Sequence, residues 1–119
     1  MKRALVALIP VLLALPPVAF AHGDDEGPVQ TIEGELVDVA CYVDHGGRGP
    51  KHQGCATACA QNNLPIGILD AKNQLFLVVD DDHKPMNDKL ASKMASHVKA
   101  TGHVHTRGGV RLIEVEKIE

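Results

Sequence analysis

One short stretch of the chain holds three cysteines and two histidines, side chains well suited to binding a soft metal ion. The cysteines are Cys41, Cys55 and Cys59, and His52 lies three residues before Cys55. Thiolates select Cu(I), Zn(II) and related thiophilic ions, and imidazole is a common additional ligand. The spacing therefore predicts a metal site in which Cys41, His52, Cys55 and Cys59 supply three sulfur ligands and one nitrogen ligand.

The predicted local structure would bring these four side chains together. Residues 54–62 are rich in alanine and glutamine, which favour a short helix. Cys55 and Cys59 are then i, i+4 neighbours on one helix face, with His52 about one turn earlier. Cys41 ends the predicted first strand, and it reaches the same face if the glycine-rich loop that follows it folds back.

A disulfide is an alternative fate for the same cysteines. A bond between Cys41 and one helix cysteine would close a loop of about 15 residues, worth on the order of 3 kcal/mol in a small exported domain. Cys55 and Cys59 make a poor disulfide with each other, because parallel Cβ vectors on one helix face misdirect their sulfurs. A reversible redox reaction of the thiols is a third alternative, although no Cys-x-x-Cys motif is present.

Other histidines and an acidic run are weaker candidates. His45 lies on the glycine-rich loop and is an alternative to His52 as the nitrogen ligand. His103 and His105 are two residues apart on a predicted strand and share one face, where they could form a second, weaker imidazole site, although we favour a simple exposed strand face. The run from Asp80 to His83 lacks EF-hand spacing, and we interpret it as a solvated turn.

The N-terminus has the pattern of a secretory signal peptide. Lys2-Arg3 precede an apolar run that ends in Ala19-Phe20-Ala21, a small-x-small cleavage site, and cleavage there would make His22 the first residue. The predicted organisation is a signal peptide, a flexible acidic leader and one domain, over residues 1–21, 22–30 and 31–119. We therefore expect a periplasmic or secreted protein without a membrane anchor, in a compartment that oxidises thiols.

Composition and charge exclude several classes of function. The chain has 119 residues, with 12 lysines and arginines against 15 acidic residues, a net charge of −3 and only 3% aromatic residues. Such a chain is a poor binder of nucleic acid or of anionic membranes, which need basic surfaces or aromatic platforms. No nucleophile elbow, paired-carboxylate motif or phosphate-binding glycine loop is present, so we do not expect an enzyme.

Alternating and β-branched segments predict five strands. We expect them near residues 31–42, 65–71, 74–80, 97–106 and 110–118. Lys72-Asn73 and Arg107 to Gly109 have the length and composition of tight hairpin turns. Gly34, inside the first strand, indicates a bulge or a close backbone approach. A short helix with Asn87 or Asp88 as its N-cap is expected between strands three and four, because apolar residues recur there at helical spacing.

This order of elements resembles the OB-fold, a five-stranded barrel. The last third of the chain, LASKMASHVKATGHVHTRGGVRLIEVEKIE, resembles the closing half of small bacterial periplasmic OB-fold proteins. The resemblance implies an all-β protein with short helices: a five-stranded OB-like barrel with the Cys/His segment as a helical insert after strand 1. The Cys-x-x-x-Cys spacing of Cys55 and Cys59 is similar to the copper motif of Sco-type cytochrome oxidase assembly proteins, which implies copper chemistry at these two residues.

These features predict an exported protein that binds a thiophilic metal ion. Copper is the first candidate ion and zinc the alternative, for handling or transport and not for catalysis. The competing interpretation is a structural or interaction domain of the same fold that binds no metal and whose insert is closed by a disulfide. The metal ion is the only partner that the sequence identifies.

Overall fold

The computed structural model describes residues 26–119. The predicted signal peptide, the cleavage site before His22 and most of the predicted leader lie outside the described residues. Glu26 to Pro28 lead into the first strand, and the Pro28 carbonyl accepts a hydrogen bond from the Val104 N–H at 3.1 Å. Within residues 26–119, no helix combines the length and the apolar character needed to cross a bilayer.

Five strands form a closed barrel. They are β1 (Val29–Asp38), β2 (Ile66–Asp70), β3 (Leu75–Asp80), β4 (His97–Arg107) and β5 (Val110–Ile118). Their order around the barrel is β1, β2, β3, β5, β4, and β4 closes the barrel against β1. Neighbouring strands are antiparallel, except that β3 and β5 are parallel. The predicted five-stranded OB-like barrel is therefore confirmed.

Alternation along the strands separates an apolar interior from a polar exterior. In β4, Val98, Ala100 and Val104 are buried, whereas Lys99 and His103 lie on the outer face. One continuous core of buried side chains fills the barrel, with contributions from all five strands. None of the three cysteines belongs to this core, so the fold does not depend on them for its apolar packing.

Two tight turns set the strand register where the sequence predicted hairpins. The Lys72-Asn73 turn joins β2 to β3, with Asn73 in the left-handed conformation at φ 58°. The Asp70 carboxylate supports it by accepting two backbone hydrogen bonds at 2.7 and 2.8 Å. Gly108 and Gly109 join β4 to β5 with φ values of 58° and 81°, and a type I′ turn requires positive φ at both positions.

Two glycines let strands approach where a side chain would not fit. A Cβ on Gly34 would lie 2.2 Å from the carbonyl oxygen of Leu69, which confirms the close approach predicted at this position. A Cβ on Gly102 would lie 1.9 Å from the carbonyl oxygen of Glu114. The register of β4 with β5 shifts between Thr101 and Gly102, which marks a β-bulge or similar irregularity in β4 at this close approach.

The segment between β1 and β2 is the predicted helical insert. It consists of α1 (Val39–His45), a 3₁₀ turn (Pro50–His52) and α2 (Gln53–Gln61). Its two ends meet, because Asp38 of β1 pairs with Ile66 of β2. The insert therefore leaves and re-enters the barrel at neighbouring positions.

Cys41 lies in α1 and not at the end of the first strand, so that prediction was wrong. β1 ends at Asp38, whose side chain caps α1 by accepting a hydrogen bond from the Cys41 N–H at 2.7 Å. Gly46, left-handed at φ 72°, ends the helix. The β-branched residues beside Cys41 favour a strand, but a cap at one end and a glycine at the other stabilise a single short helix instead.

The helix between β3 and β4 is shorter than predicted. α3 covers only Asn87–Leu90, followed by a 3₁₀ turn over Ala91–Lys93, and its N-cap position is Met86. Asn87 is buried and has a different role from the predicted cap. Its side-chain amide donates to two backbone carbonyls at and just beyond the C-terminal end of α2, each at 2.8 Å. These two bonds hold the end of α2 against α3.

Candidate metal centre

Asp38 places Cys41 in the first turn of α1. The Asp38 side chain is only 1% exposed, and while one carboxylate oxygen caps the helix, the other has no hydrogen-bond partner. A buried carboxylate without a partner is costly, and a nearby cation offsets that cost. Asp38 therefore both caps α1 and favours a positive charge beside Cys41.

α2 supplies the other two thiols. Ala56 and Ala60 are buried against the barrel, whereas Cys59 is half-buried and Cys55 is exposed. The i, i+4 spacing keeps both cysteines on one side of the helix, as predicted. The two alanines form the buried side of α2. The two thiols therefore lie towards its outer side, within reach of solvent.

The glycine-rich loop folds back, as the predicted site requires. The Gly47 N–H donates to the Cys41 carbonyl at 3.1 Å, which ties the loop to α1. The Gly49 N–H donates to the Glu35 carboxylate, which ties it to β1. These contacts fold the loop back towards α1, so that α2 starts close to the helix that carries Cys41.

The three sulfur atoms meet at one point. They all lie within 4.8 Å of one another, with Cys41 Sγ 3.9 Å from Cys55 Sγ, and all three thiols are free. A disulfide would need about 2.05 Å. Metal–sulfur bonds of about 2.3 Å place neighbouring thiolates roughly 3.8 Å apart in a tetrahedral site and about 4.0 Å apart in a trigonal one. The Cys41 to Cys55 spacing therefore fits two ligands to one ion, and the same distance serves a thiol–thiol contact in the absence of an ion.

His52 lies beside the cysteines, but its nitrogens are not among the donor atoms that share the 4.8 Å cluster. Its ring stands 5.3 Å from the ring of His45, centroid to centroid. A Cβ on Gly47 would lie 3.1 to 3.2 Å from atoms of Cys41, His45 and His52, so both imidazoles border the thiol site. The identity of the nitrogen ligand stays a prediction, with His52 first and His45 as the alternative.

The site holds protons when it is free of metal. A hydrogen bond with the Asp38 carboxylate is the largest cause that raises the pKa of the Cys41 thiol, to about 12, and burial adds to the shift. Burial is the first cause that raises the pKa of Cys59, and the charge of Asp38 is the second. Both thiols are therefore protonated near neutral pH. Because a metal must displace these protons, its apparent affinity rises with pH.

In the reduced, metal-free protein at pH 8, we expect iodoacetamide to modify Cys55 first and Cys41 last. The Cys55 thiol is exposed, whereas a pKa of about 12 leaves almost no reactive thiolate at Cys41. Asp38→Asn keeps a capping oxygen but replaces the charged hydrogen-bond acceptor with a weaker, neutral one, so it should speed the alkylation of Cys41. Asp44→Asn, which changes an exposed carboxylate on the same helix, should not.

Peptide mass mapping against time measures the three rates separately. Modification of Cys41 as fast as Cys55, or a rate at Cys41 that Asp38→Asn leaves unchanged, would contradict this account of the electrostatics.

The other sequence candidates lie away from the thiols, on the outer face of β4 and the turn after β3. The Asp80 side chain accepts backbone hydrogen bonds from Asp82 and Lys84 at 3.1 and 2.7 Å, which confirms the predicted turn. His103 and His105 share a face, but they are half-buried and not fully exposed as predicted. The carboxylates of β5 and the segment before β1 cover them in part.

Sequence reasoning missed Asp38. A signal for it existed, since an aspartate three residues before Cys41 satisfies the N-cap pattern of a helix that starts at Val39. The strand propensity of the intervening residues obscured that signal.

Comparison of the chain with protein-family models, with curated proteins and with solved structures gives no significant match. The function is therefore argued from the site.

Proposed function

We propose that this protein binds one thiophilic metal ion, with Cu(I) as the preferred ion, through Cys41, Cys55 and Cys59. His52 is the proposed nitrogen ligand, and the proposed role is to hold or transfer the ion outside the cytoplasm. The observation that carries the proposal is the convergence of three free sulfur atoms within 4.8 Å, drawn from two separate helices. Thiolates suit Cu(I) above the other common ions.

Exposure at the site supports handling of the ion over a purely structural role. A structural zinc site is closed, with its ligands shielded by the folded protein. Here the Cys55 thiol is exposed, so an ion bound by the three cysteines and His52 stays open to exchange with a partner on that side. None of the three cysteines belongs to the apolar core, so the core packing does not use the metal ligands.

The predicted export of the chain adds a chemical reason for a bound ion. Neighbouring thiols in an oxidising compartment form a disulfide unless something holds them as thiolates. A metal at the cluster would protect all three cysteines at once, whereas a disulfide would use two of them and leave one thiol. The unpaired Asp38 oxygen beside the cluster favours the cation.

A disulfide-closed interaction domain is the second candidate. The observation in its favour is the 3.9 Å separation of the Cys41 and Cys55 sulfurs, which a small side-chain rotation would close to bonding distance. In that case the insert is a staple, and the function resides on another surface.

Mass spectrometry of protein purified from its export compartment separates the two candidates. We expect native spectra to show one bound metal ion, and denaturing spectra to show three thiols that all react with an alkylating reagent. A chain that is two daltons lighter, carries no metal and has a single reactive thiol would support the disulfide candidate and contradict the metal proposal.

A further inference from the structure

A second group of metal-binding side chains lies on the outer face of the β4–β5 hairpin. His83 Nε2 is 2.7 Å from Glu114 Oε1, and His105 Nε2 is 3.3 Å from the same oxygen. Two imidazole nitrogens from different elements therefore converge on one carboxylate oxygen. No cysteine is part of this cluster, so the cluster is separate from the thiol site.

The barrel and one turn build this cluster. Val104 and Ile113 point into the core, so His105 and Glu114, next to them in sequence, point outwards on adjacent strands. The turn after β3 is fixed by hydrogen bonds to the Asp80 carboxylate, with His83 left-handed at φ 60°. That turn brings His83 over the face of the two strands.

One nitrogen of this cluster, His105 Nε2, has no hydrogen-bond partner. His105 Nε2 is buried, and despite its 3.3 Å distance to Glu114 it makes no hydrogen bond of acceptable geometry. A buried polar atom without a partner calls for an explanation, and a bound ion or water is one of them. Glu114 is 16% exposed, and among the described residues its only ion-pair partners are these two histidines.

We propose that His83, His105 and Glu114 form a second metal site, for a borderline divalent ion such as Zn(II) or Cu(II). Two imidazoles and a carboxylate are the donor set that such ions take, in contrast to the soft thiolates of the first site. Bonds of about 2.0 to 2.2 Å place neighbouring donors roughly 2.9 to 3.5 Å apart. Each imidazole lies 2.7 or 3.3 Å from Glu114, but the two imidazoles do not join it in one compact donor cluster, so the exposed His83 side chain must turn towards His105 for all three to share the ion.

The surroundings of the site suit a cation. Asp81 and Glu26 line the same groove and add negative charge. His103 stands next to the cluster, with its Nδ1 2.7 Å from the Gly27 carbonyl and its Nε2 3.2 Å from Glu116. It is thus held by its own partners and flanks the site without being one of the three ligands.

Zinc titration of the full chain carrying Cys41→Ser, Cys55→Ser and Cys59→Ser tests the proposal by calorimetry. We expect one equivalent of Zn(II) to bind at this site, and His105→Ala or Glu114→Gln to weaken that binding at least about tenfold. His97→Ala is the matched control, since it removes an exposed histidine from the other end of β4, and it should leave the affinity unchanged. Equal affinity in the His105→Ala and His97→Ala variants would overturn the proposal.

A second measurement covers the case in which the triple serine variant fails to fold. In wild-type protein, whatever the thiols bind, zinc should shift the ¹⁵N resonances of His83 Nε2 and His105 Nε2 and leave those of His97 in place. Zinc-induced shifts confined to His45 and His52, or no shifts, would assign any bound zinc elsewhere and reject the site.

Discussion

Replacing Cys55 or Cys59 with serine is expected to abolish stoichiometric Cu(I) binding. Each substitution reduces three converging sulfurs to two and puts a hydroxyl, a poor ligand for a soft ion, in place of the third. We expect affinity to fall by at least about 100-fold, since even the loss of an outer partner of a ligand costs about 10- to 100-fold. Competition with a chromogenic Cu(I) chelator under anaerobic, reducing conditions measures the change.

Two histidine variants calibrate this experiment. His52→Ala should weaken binding without abolishing it, because the three thiols remain in place. His103 is not part of the thiol cluster, so His103→Ala should leave Cu(I) affinity unchanged. If the Cys55→Ser/Cys59→Ser double variant binds copper as tightly as the wild type, the thiol site is not the copper site, and the proposed function fails.

Gly102→Ala is expected to cause the largest loss of stability of any single methyl addition in the barrel. The new Cβ would lie 1.9 Å from the Glu114 carbonyl oxygen, a backbone atom that cannot rotate away. β4 and β5 would have to separate where their register already shifts. Overpacking a tight interior costs about 1 to 3 kcal/mol when side chains can give way, so we expect more than about 3 kcal/mol here.

Gly54→Ala is the matched control for the same chemical change. Gly54 lies in α2, and a Cβ there would meet no atom within 4 Å. Alanine in a helix is favoured over glycine by about 0.5 to 1 kcal/mol, so this variant should be slightly more stable than the wild type. Urea denaturation followed by circular dichroism measures both free energies of unfolding. Equal stabilities for the two variants would show that the β4–β5 contact is looser than described.

Much of the barrel could be predicted from sequence because its signals are local. Lys72-Asn73 and Gly108-Gly109 identify two hairpins by turn chemistry alone, and alternation in β4 fixes which residues face the core. Gly34 indicated a close contact because a strand interior gives glycine no other advantage. These features depend on a few consecutive residues, and each agrees with the final fold.

The candidate site could be predicted only in part, because its geometry combines local and distant effects. The pairing of Cys55 with Cys59 follows from helical spacing. The position of Cys41 depends on whether the chain turns at Asp38, where a side-chain cap prevails over strand propensity. The meeting of His83 with Glu114 joins residues 31 positions apart through the parallel β3–β5 pair, and no local pattern predicts it.

The pairing of Asp38 with Ile66 has a consequence for how such a protein can change over generations. Because the insert begins and ends on adjacent strands, its length affects the chain entropy only weakly, by about 0.6 kcal/mol for each doubling. A single insertion or deletion between these two residues can therefore add, resize or remove all three cysteines together, while the turns that set the barrel register remain untouched. The thiol cluster and the turns that set the barrel register therefore lie in separate segments of the chain, so mutation can alter the cluster without changing those turns.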